Sequence, residues 1–582
     1  MKKNQLIGLI VFGVIILFIV LANFEDIFQF DPASVDYSKI ERMSEGETYN
    51  ELTRLSNQIG PSTKLVTVGY IDDLSTRKDL VDTLPDISLE RNQHYYPLTV
   101  DPYIQANDVA VEIFASTEKS GSKDPDNWMT LLAEEYNKRN ISLANGKKAK
   151  VKLRYIASGT AYLYISTGKY MPQAFTPSSH LWVKMLDASG VKNEVIRDRL
   201  VGNIAGVVMR SKIADKLKAD YGEVSVANLI DAVIQGDVAM GYTDPFASST
   251  GLNFLITTLS SFADNPDDIL SDKVVESFEA FQKGVPYVAL STIQMRDSVT
   301  KGGSLDAFVM EYQTYIRAPE LKNGYFFLPF GIRHDNPLYS VGDISADQKA
   351  VLESFAQFSD SNYGKQLADR YGFNKNLGYK NAYALPSGSN LVKAQSLWKE
   401  KKDSGRQIAA IFLCDTSGSM GGEPLALVKK ALLGGAEFID PDNAIGLVAF
   451  SSDVYQTLEI KEFNALQKAR FNTAVKQLDA GGGTAMYNGI LVSLKLLMEY
   501  KQDNPDCKPL LFVLTDGDTN EGFEFREAYK SIAGARIPIY TIGYNAVVKN
   551  LTALSSINEA ASMNASDEGI VYRIGALLNA EM

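Results

Sequence analysis

The chain has 582 residues and a formal net charge of −12, with 70 Asp and Glu against 58 Lys and Arg. That length accommodates several domains, and the acidic balance argues against nucleic acid, which requires a basic face. Hydrophobic residues make up 45% of the chain, enough for cores throughout, and its two cysteines cannot build a disulfide framework.

Residues 1–23 read as a membrane segment. Lys2 and Lys3 precede an uncharged apolar run, LIGLIVFGVIILFIVLA, that ends at Ala22, and Glu25, Asp26 and Asp31 follow it. The run sits at the lower edge of what spans a bilayer. Basic residues on the near flank predict that the bulk of the chain lies outside. Val20 and Ala22 also form a passable signal-peptidase site; the length of the apolar run favours a retained anchor. The expected localisation is a cell membrane, single-pass, with the C-terminal bulk extracytoplasmic. Residues 24–108 are polar and proline-punctuated, and read as a juxtamembrane spacer or cap with one strand candidate at 64–71.

Residues 109–383 alternate strand and helix patterns, which predicts a mainly parallel α/β unit of two lobes. Strand candidates are VAVEIFAS (109–116), KVKLRYIA (150–157), AGVVMR (205–210), VAMGY (238–242) and GVPYVAL (284–290). Three hydroxyl clusters precede apolar runs: Ser158 with Thr160, Ser178 with Ser179, and Ser248 with Ser249 and Thr250. Helix starts offer free N–H groups to an anion, and plain N-capping uses the same residues. No arginine stands beside these clusters, and Asp244 would repel an anion if it faced inward. On ASGTAYLYISTGKYMP, TPSSHLW and GDVAMGYTDPFASSTGLNFL, the region resembles the type 2 periplasmic solute-binding fold. That resemblance implies a bacterial surface protein with an interlobe cleft. It points to a small oxyanion or other polar solute held by Ser158, Thr160, Ser178, Ser179, Ser249 and Thr250.

Residues 384–406 read as a linker, where Pro386, Ser387, Gly388 and Ser389 break the fold and a short charged helix follows. Residues 407–582 then carry the pattern of a doubly wound α/β domain. Its strand candidates are IAAIFLC, AIGLVAF, VYQTLEI, LLFVLT, PIYTIGY and GIVYRI. Only Ser451 to Asp453 separate AIGLVAF from VYQTLEI, which predicts an antiparallel pair with VYQTLEI at the sheet edge. A short last helix, GALLNAEM, is expected at 575–582.

Three segments of this unit place oxygen ligands at strand or helix ends. IAAIFLCDTSGSM carries Asp415, Ser417 and Ser419; GGGTAMYNG carries Thr484; LLFVLTDGD ends at Asp516. Open parallel sheets bind ligands beyond the carboxyl ends of their strands, and hard divalent cations favour oxygen donors. The pattern DxSxS, then Thr, then T-D-G resembles the metal-ion-dependent adhesion site of the von Willebrand factor type A domain. The resemblance implies Mg2+ (or Mn2+) contacted directly by Ser417, Ser419 and Thr484, with Asp415 and Asp516 acting largely through water. It also implies a protein partner that donates an acidic residue to the metal. An EF-hand starting at Asp516 is excluded, because Glu521 stands where the loop needs glycine and a strand precedes it.

No G-x-x-x-x-G-K loop occurs, and His94, His180 and His334 are scattered. Ser417 lacks a nucleophile elbow. These features argue against an enzyme, leaving a metal-dependent hydrolase as the weakest reading. The expected function is a membrane-anchored binding protein that docks a partner through its metal and holds a solute. The alternative is a surface adhesin in which the solute-binding-like fold is only a scaffold.

Overall fold

The computed structural model describes residues 42–67, 84–265, 268–285, 287–289, 292–299, 305–402, 406–517, 519–543, 549–558, 560 and 562–564. The expected anchor at 1–23, the strand at 569–574 and the helix at 575–582 lie outside them. Among the described residues no helix is long and apolar enough to cross a membrane.

Among the described residues, eighteen strands form three sheets. In chain order they are β1 (Ser62–Thr63), β2 (Leu98–Val100), β3 (Asp108–Ala115), β4 (Lys148–Tyr155), β5 (Ala174–Thr176), β6 (Asn193–Arg197), β7 (Asn203–Arg210), β8 (Met240–Thr243) and β9 (Tyr287–Ala289). There follow β10 (Ala307–Glu311), β11 (Tyr325–His334), β12 (Leu338–Val341), β13 (Ile408–Asp415), β14 (Ala444–Phe450), β15 (Val454–Glu462), β16 (Lys508–Thr515), β17 (Ile539–Gly543) and β18 (Ser562–Asn564).

The first lobe of the middle unit has strand order β2-β4-β3-β5-β12-β6, and the second has β11-β7-β10-β8-β9. The chain leaves the first lobe after β6 and returns to it at β12, so β10 to β12 close a unit whose opening strands the sequence had already marked. Both sheets are mixed, not mainly parallel as expected: in the first, β2 runs antiparallel to β4 and β12 to both β5 and β6, and in the second, β7 runs antiparallel to both β10 and β11.

The C-terminal sheet has the order β1-β15-β14-β13-β16-β17-β18. β13 lies between β14 and β16, parallel to both, and all eight of its residues are buried. Its side chains alternate between two cores: Ile408, Ala410, Phe412 and Cys414 face one, while Ala409, Ile411 and Leu413 face the other. A continuous apolar run is what a parallel strand covered on both faces needs. Phe412 stacks on Phe512 at 5.0 Å and Phe512 on Tyr540 at 5.2 Å, which ties the three central strands on one face.

Two expectations are corrected here. The spacer assigned to 24–108 contains a helix, Glu45–Ile59, that packs against helices Met486–Asp503 and Phe525–Ala535 of the C-terminal unit. Ser44 and Glu47 form its capping box, Gly60 ends it at φ 64°, and Leu52 and Leu55 enter the core shared with Leu413. β1 then pairs in parallel with β15, so β15 is antiparallel to β14 as expected but is not an edge. The C-terminal unit is therefore assembled from both ends of the described chain, with the middle unit inserted between them.

The expected linker also differs. Helix Gly388–Lys401 bridges the two lobes, packing on helix Leu181–Ala188 of the first and Ser249–Phe262 of the second. Trp398 Nε1 donates to Tyr242 OH at 2.6 Å, and Gln395 Nε2 to the Pro245 carbonyl at 2.8 Å. The apolar residues Leu391, Ala394 and Trp398 recur on one face, so the charged look of this helix belongs to its exposed side.

Candidate functional site

The carboxyl ends of β13 and β16 carry the first two parts of the site. Asp415 is the last residue of β13 and fully buried. Its Oδ1 accepts from the Ser417 N–H at 2.8 Å and its Oδ2 from Thr515 Oγ1 at 2.5 Å. Burial pushes the Asp415 carboxyl up; the Thr515 and Ser417 hydrogen bonds oppose this, and Asp516 adds to it. A carboxylate held from two sides cannot swing, so it is pre-aimed at the mouth of the crevice.

Ser417 Oγ lies 3.1 Å from Ser419 Oγ, and Ser419 Oγ donates to Asp516 Oδ1 at 2.9 Å. Thr484 comes from the loop before helix Met486–Asp503, and backbone bonds lace that loop to both strand ends. Gly481 N–H donates to the Thr416 carbonyl at 2.8 Å and Gly418 N–H to the Gly482 carbonyl at 3.0 Å. On the other side, Thr484 N–H donates to Asn520 Oδ1 at 2.8 Å, and Thr519 Oγ1 to the Thr484 carbonyl at 2.8 Å. All five expected ligand residues thus belong to one knot of three loops.

The donor set fits a hard cation. Oxygens at about 2.1 Å from an octahedral ion are about 3.0 Å apart when adjacent. The Ser417–Ser419 separation matches that spacing, and Asp516, hydrogen-bonded to Ser419, stands beside the pair. Among the described residues no group of three or more His, Cys, Asp or Glu could hold a metal, so hydroxyls are essential to any such site. The sequence reading missed three supports. Thr515 orients Asp415, Asn520 anchors the Thr484 loop, and Ser452 Oγ accepts from Gly483 N–H at 2.8 Å. Thr515 stands inside the T-D-G turn already singled out; nothing local marked Asn520 or Ser452. Glu521 also lies at this face, its carboxylate against the Cα of Gly483, where a Cβ would meet Glu521 Cδ at 2.3 Å.

The middle unit places its hydroxyl clusters at the lobe interface, and the hydroxyls of the second and third clusters are engaged by protein. Ser178 Oγ donates to Glu118 Oε1 at 2.7 Å and Thr250 Oγ1 to Glu311 Oε1 at 3.3 Å. Ser249 Oγ accepts from Trp182 Nε1 at 2.8 Å, and Ser179 Oγ from Leu181 N–H at 3.3 Å. Ser158 and Thr160 fall in the first turn of helix Ser158–Thr167, whose N-cap is Ala157, so neither caps it. At the third cluster the capping hydroxyl is Ser248, accepting from Gly251 N–H at 3.3 Å. Buried carboxylates stand where an oxyanion was expected: Glu118 and Glu311 are 6% and 1% exposed.

Lys119 occupies the same region and is fully buried. Its Nζ donates to Asn336 Oδ1 at 2.9 Å and to the Pro177 carbonyl at 3.3 Å. Burial lowers its pKa to about 8, while the charges of Glu118 and Glu311 hold it up. His334, also fully buried, bonds Glu311 Oε1 at 2.8 Å and Asn253 at 3.1 Å, so it belongs to this network. The lobes are clamped around it by Arg296–Asp126 at 3.1 Å, Arg317–Asp124 at 2.6 Å and Gly159 N–H to the Ala247 carbonyl at 3.2 Å.

With this geometry in hand, residues 411–574 match the model of the von Willebrand factor type A domain. Inter-alpha-trypsin inhibitor heavy chain H3 of Homo sapiens is 30% identical over 143 residues, 23% of this chain and 16% of that protein. The chain therefore spans about a sixth of the length of that relative. Among solved structures, a von Willebrand factor type A protein from Catenulispora acidiphila aligns with TM-score 0.28 at 17% identity, over 30% of this chain and 42% of that one. A periplasmic thiamin binding protein aligns with TM-score 0.37 at 11% identity, over 52% of this chain and 99% of that one.

Proposed function

We propose that the C-terminal unit docks an acidic group of a protein partner through a divalent cation, Mg2+ or Mn2+, at Ser417, Ser419, Thr484, Asp415 and Asp516. The observation that carries this reading is the oxygen cluster itself: buried Asp415 fixed from two sides, with hydroxyls spaced as ligands of one hard ion. When bound, the ion supplies a Lewis-acidic acceptor for a carboxylate. The chain's own residues do the rest. Ser417, Ser419 and Thr484 contribute neutral oxygens, which leave more positive character for an incoming carboxylate than charged ligands would. Thr515 and the Ser417 N–H keep the Asp415 carboxylate aimed inward. Residues 1–23 would hold the assembly at a membrane with this face outward.

The middle unit serves in this reading as a closed scaffold. Its interlobe region is filled by Lys119, Glu118, Glu311 and His334, and helix Gly388–Lys401 straps the lobes together. A lysine ammonium held by Asn336 and the Pro177 carbonyl takes space that a solute would need.

The test has two arms. Calorimetric titration with Mn2+ should show one site in the wild type and none in Asp415→Ala. Partner capture from intact membranes should be lost with a chelator and with Asp415→Ala, and capture surviving either treatment refutes docking through the ion. Heat on adding phosphate, sulfate or molybdate at millimolar concentration would restore the solute-binding reading of the middle unit.

A further inference from the structure

A cavity of about 720 Å3 lies at the seam between the middle unit and the base of the C-terminal unit, at the amino ends of the strands. Arg406 stands before β13, Lys508 opens β16 and Pro538 precedes β17. Eight residues of β13 at about 3.3 Å each put the cavity roughly 25 Å from Asp415. Its size is that of a small-molecule site.

Its charge runs against that of the chain. Six cationic side chains line it, Arg42, Lys283, Arg406, Lys501, Lys508 and Arg536, against two carboxylates, Glu45 and Asp506. Glu45 is taken by Lys501 at 3.0 Å. Arg42 is fixed as part of the wall, donating to the Ala533 and Ile557 carbonyls and to Asn558 Oδ1. Lys283 and Arg536 are exposed and make no ion pair among the described residues. In a protein of net charge −12, six cations against two carboxylates make this lining locally positive, which suits an anion.

Arg536 adds an independent observation. It ends helix Phe525–Ala535 at φ 54°, the left-handed conformation that glycine occupies at helix ends. A side chain there is strained, and such outliers cluster where a side chain has work to do. Here the strained residue puts a guanidinium at the cavity.

We infer that this cavity is a binding site for a small anion carrying more than one phosphate group. The cations come from five separate stretches of chain, so a multiphosphate, with oxygens on more than one centre, engages more of them than a single carboxylate does. Guanidinium forks match phosphate oxygens in pairs. Pro505, Pro509 and Pro538 give the cavity a rigid wall without backbone donors of its own. Bound there, the anion bridges Lys283 of the middle unit to Arg406, Lys508 and Arg536 of the C-terminal unit, locking the two together.

The test uses the full chain in detergent and inorganic tripolyphosphate as the probe. Calorimetry should show binding that weakens steeply with added salt, and at least tenfold weaker binding in Lys283→Ala/Arg536→Gly. Arg536→Gly relieves the left-handed strain, so the unliganded variant should melt no lower than the wild type, which separates lost binding from lost fold. A chelator should leave binding unchanged, which keeps this result separate from the metal site. A second arm distinguishes the source of the phosphates through co-sedimentation with phosphatidylcholine vesicles with and without cardiolipin, whose headgroup carries two phosphates. Enhancement by cardiolipin that the double variant loses assigns the site to lipid headgroups; tripolyphosphate heat without it assigns a soluble anion. Neither signal in the wild type, or equal signals in the double variant, overturns the inference.

Discussion

Thr515→Val tests the metal site through a residue that is not itself a ligand. Thr515 is fully buried at the end of β16, and its hydroxyl donates to Asp415 Oδ2 at 2.5 Å. Valine keeps the shape and removes the donor, so one oxygen of a buried carboxylate loses its partner. A hydrogen bond to a charged group contributes about 1.5–3 kcal/mol. At about 1.4 kcal/mol per factor of ten, that predicts a loss of roughly 10–100-fold in affinity for Mn2+, the range seen when outer partners of metal ligands are removed. Thr515→Ser keeps the hydroxyl and should stay close to wild type. Calorimetric titration with Mn2+ measures the affinity, and a melting curve without metal checks the fold. A Thr515→Val protein that is folded and binds Mn2+ within twofold of wild type would refute the claim that Asp415 needs this orientation. So would a Thr515→Ser protein that binds as poorly as the valine variant.

Other outcomes follow from the packing. Leu52→Ala removes a fully buried side chain from the N-terminal helix and should cost about 2–5 kcal/mol. In scanning calorimetry the loss should appear in the transition of the C-terminal unit; a shift confined to the middle unit's transition would show that the helix belongs elsewhere. Lys119 has a folded pKa of about 8 against an ordinary value of 10.5, so folding disfavours its proton. Its penalty is full below pH 8 and fades as pH rises through 10.5, so stability should climb across that window by up to about 3 kcal/mol more than in Lys119→Met. Parallel melting curves for the two proteins would contradict this. At Gly159 an added Cβ would meet the Phe246 carbonyl oxygen at 1.7 Å, so Gly159→Ala should force the lobes apart. Small-angle scattering should show a larger radius, and an unchanged profile would mean that the lobes adjust locally.

The sequence by itself determined what is local. The apolar runs at 408–414 and 510–514 became the bodies of β13 and β16, because a strand covered on both faces is apolar along its length until it reaches the crevice. The DxSxS turn, Thr484 and the T-D-G turn could be read as one set because each occupies a strand end or helix start, where oxygen ligands are free to point into a crevice. The helix at 45–59 carried its own signal, Ser44 and Glu47 before Leu52 and Leu55, yet nothing in those residues says which unit they join. Only the tertiary structure decided that, since the partners of Leu52 and of β1 lie hundreds of residues away. The same holds for the middle unit. Ser178 and Thr250 look like anion ligands in sequence, and become donors to Glu118 and Glu311 once β3 pairs with β5 and helix Ser249–Phe262 packs on β10. A hydroxyl both donates and accepts, so its role is fixed by whichever group the fold brings opposite it, and folding places those groups by contacts between distant parts of the chain.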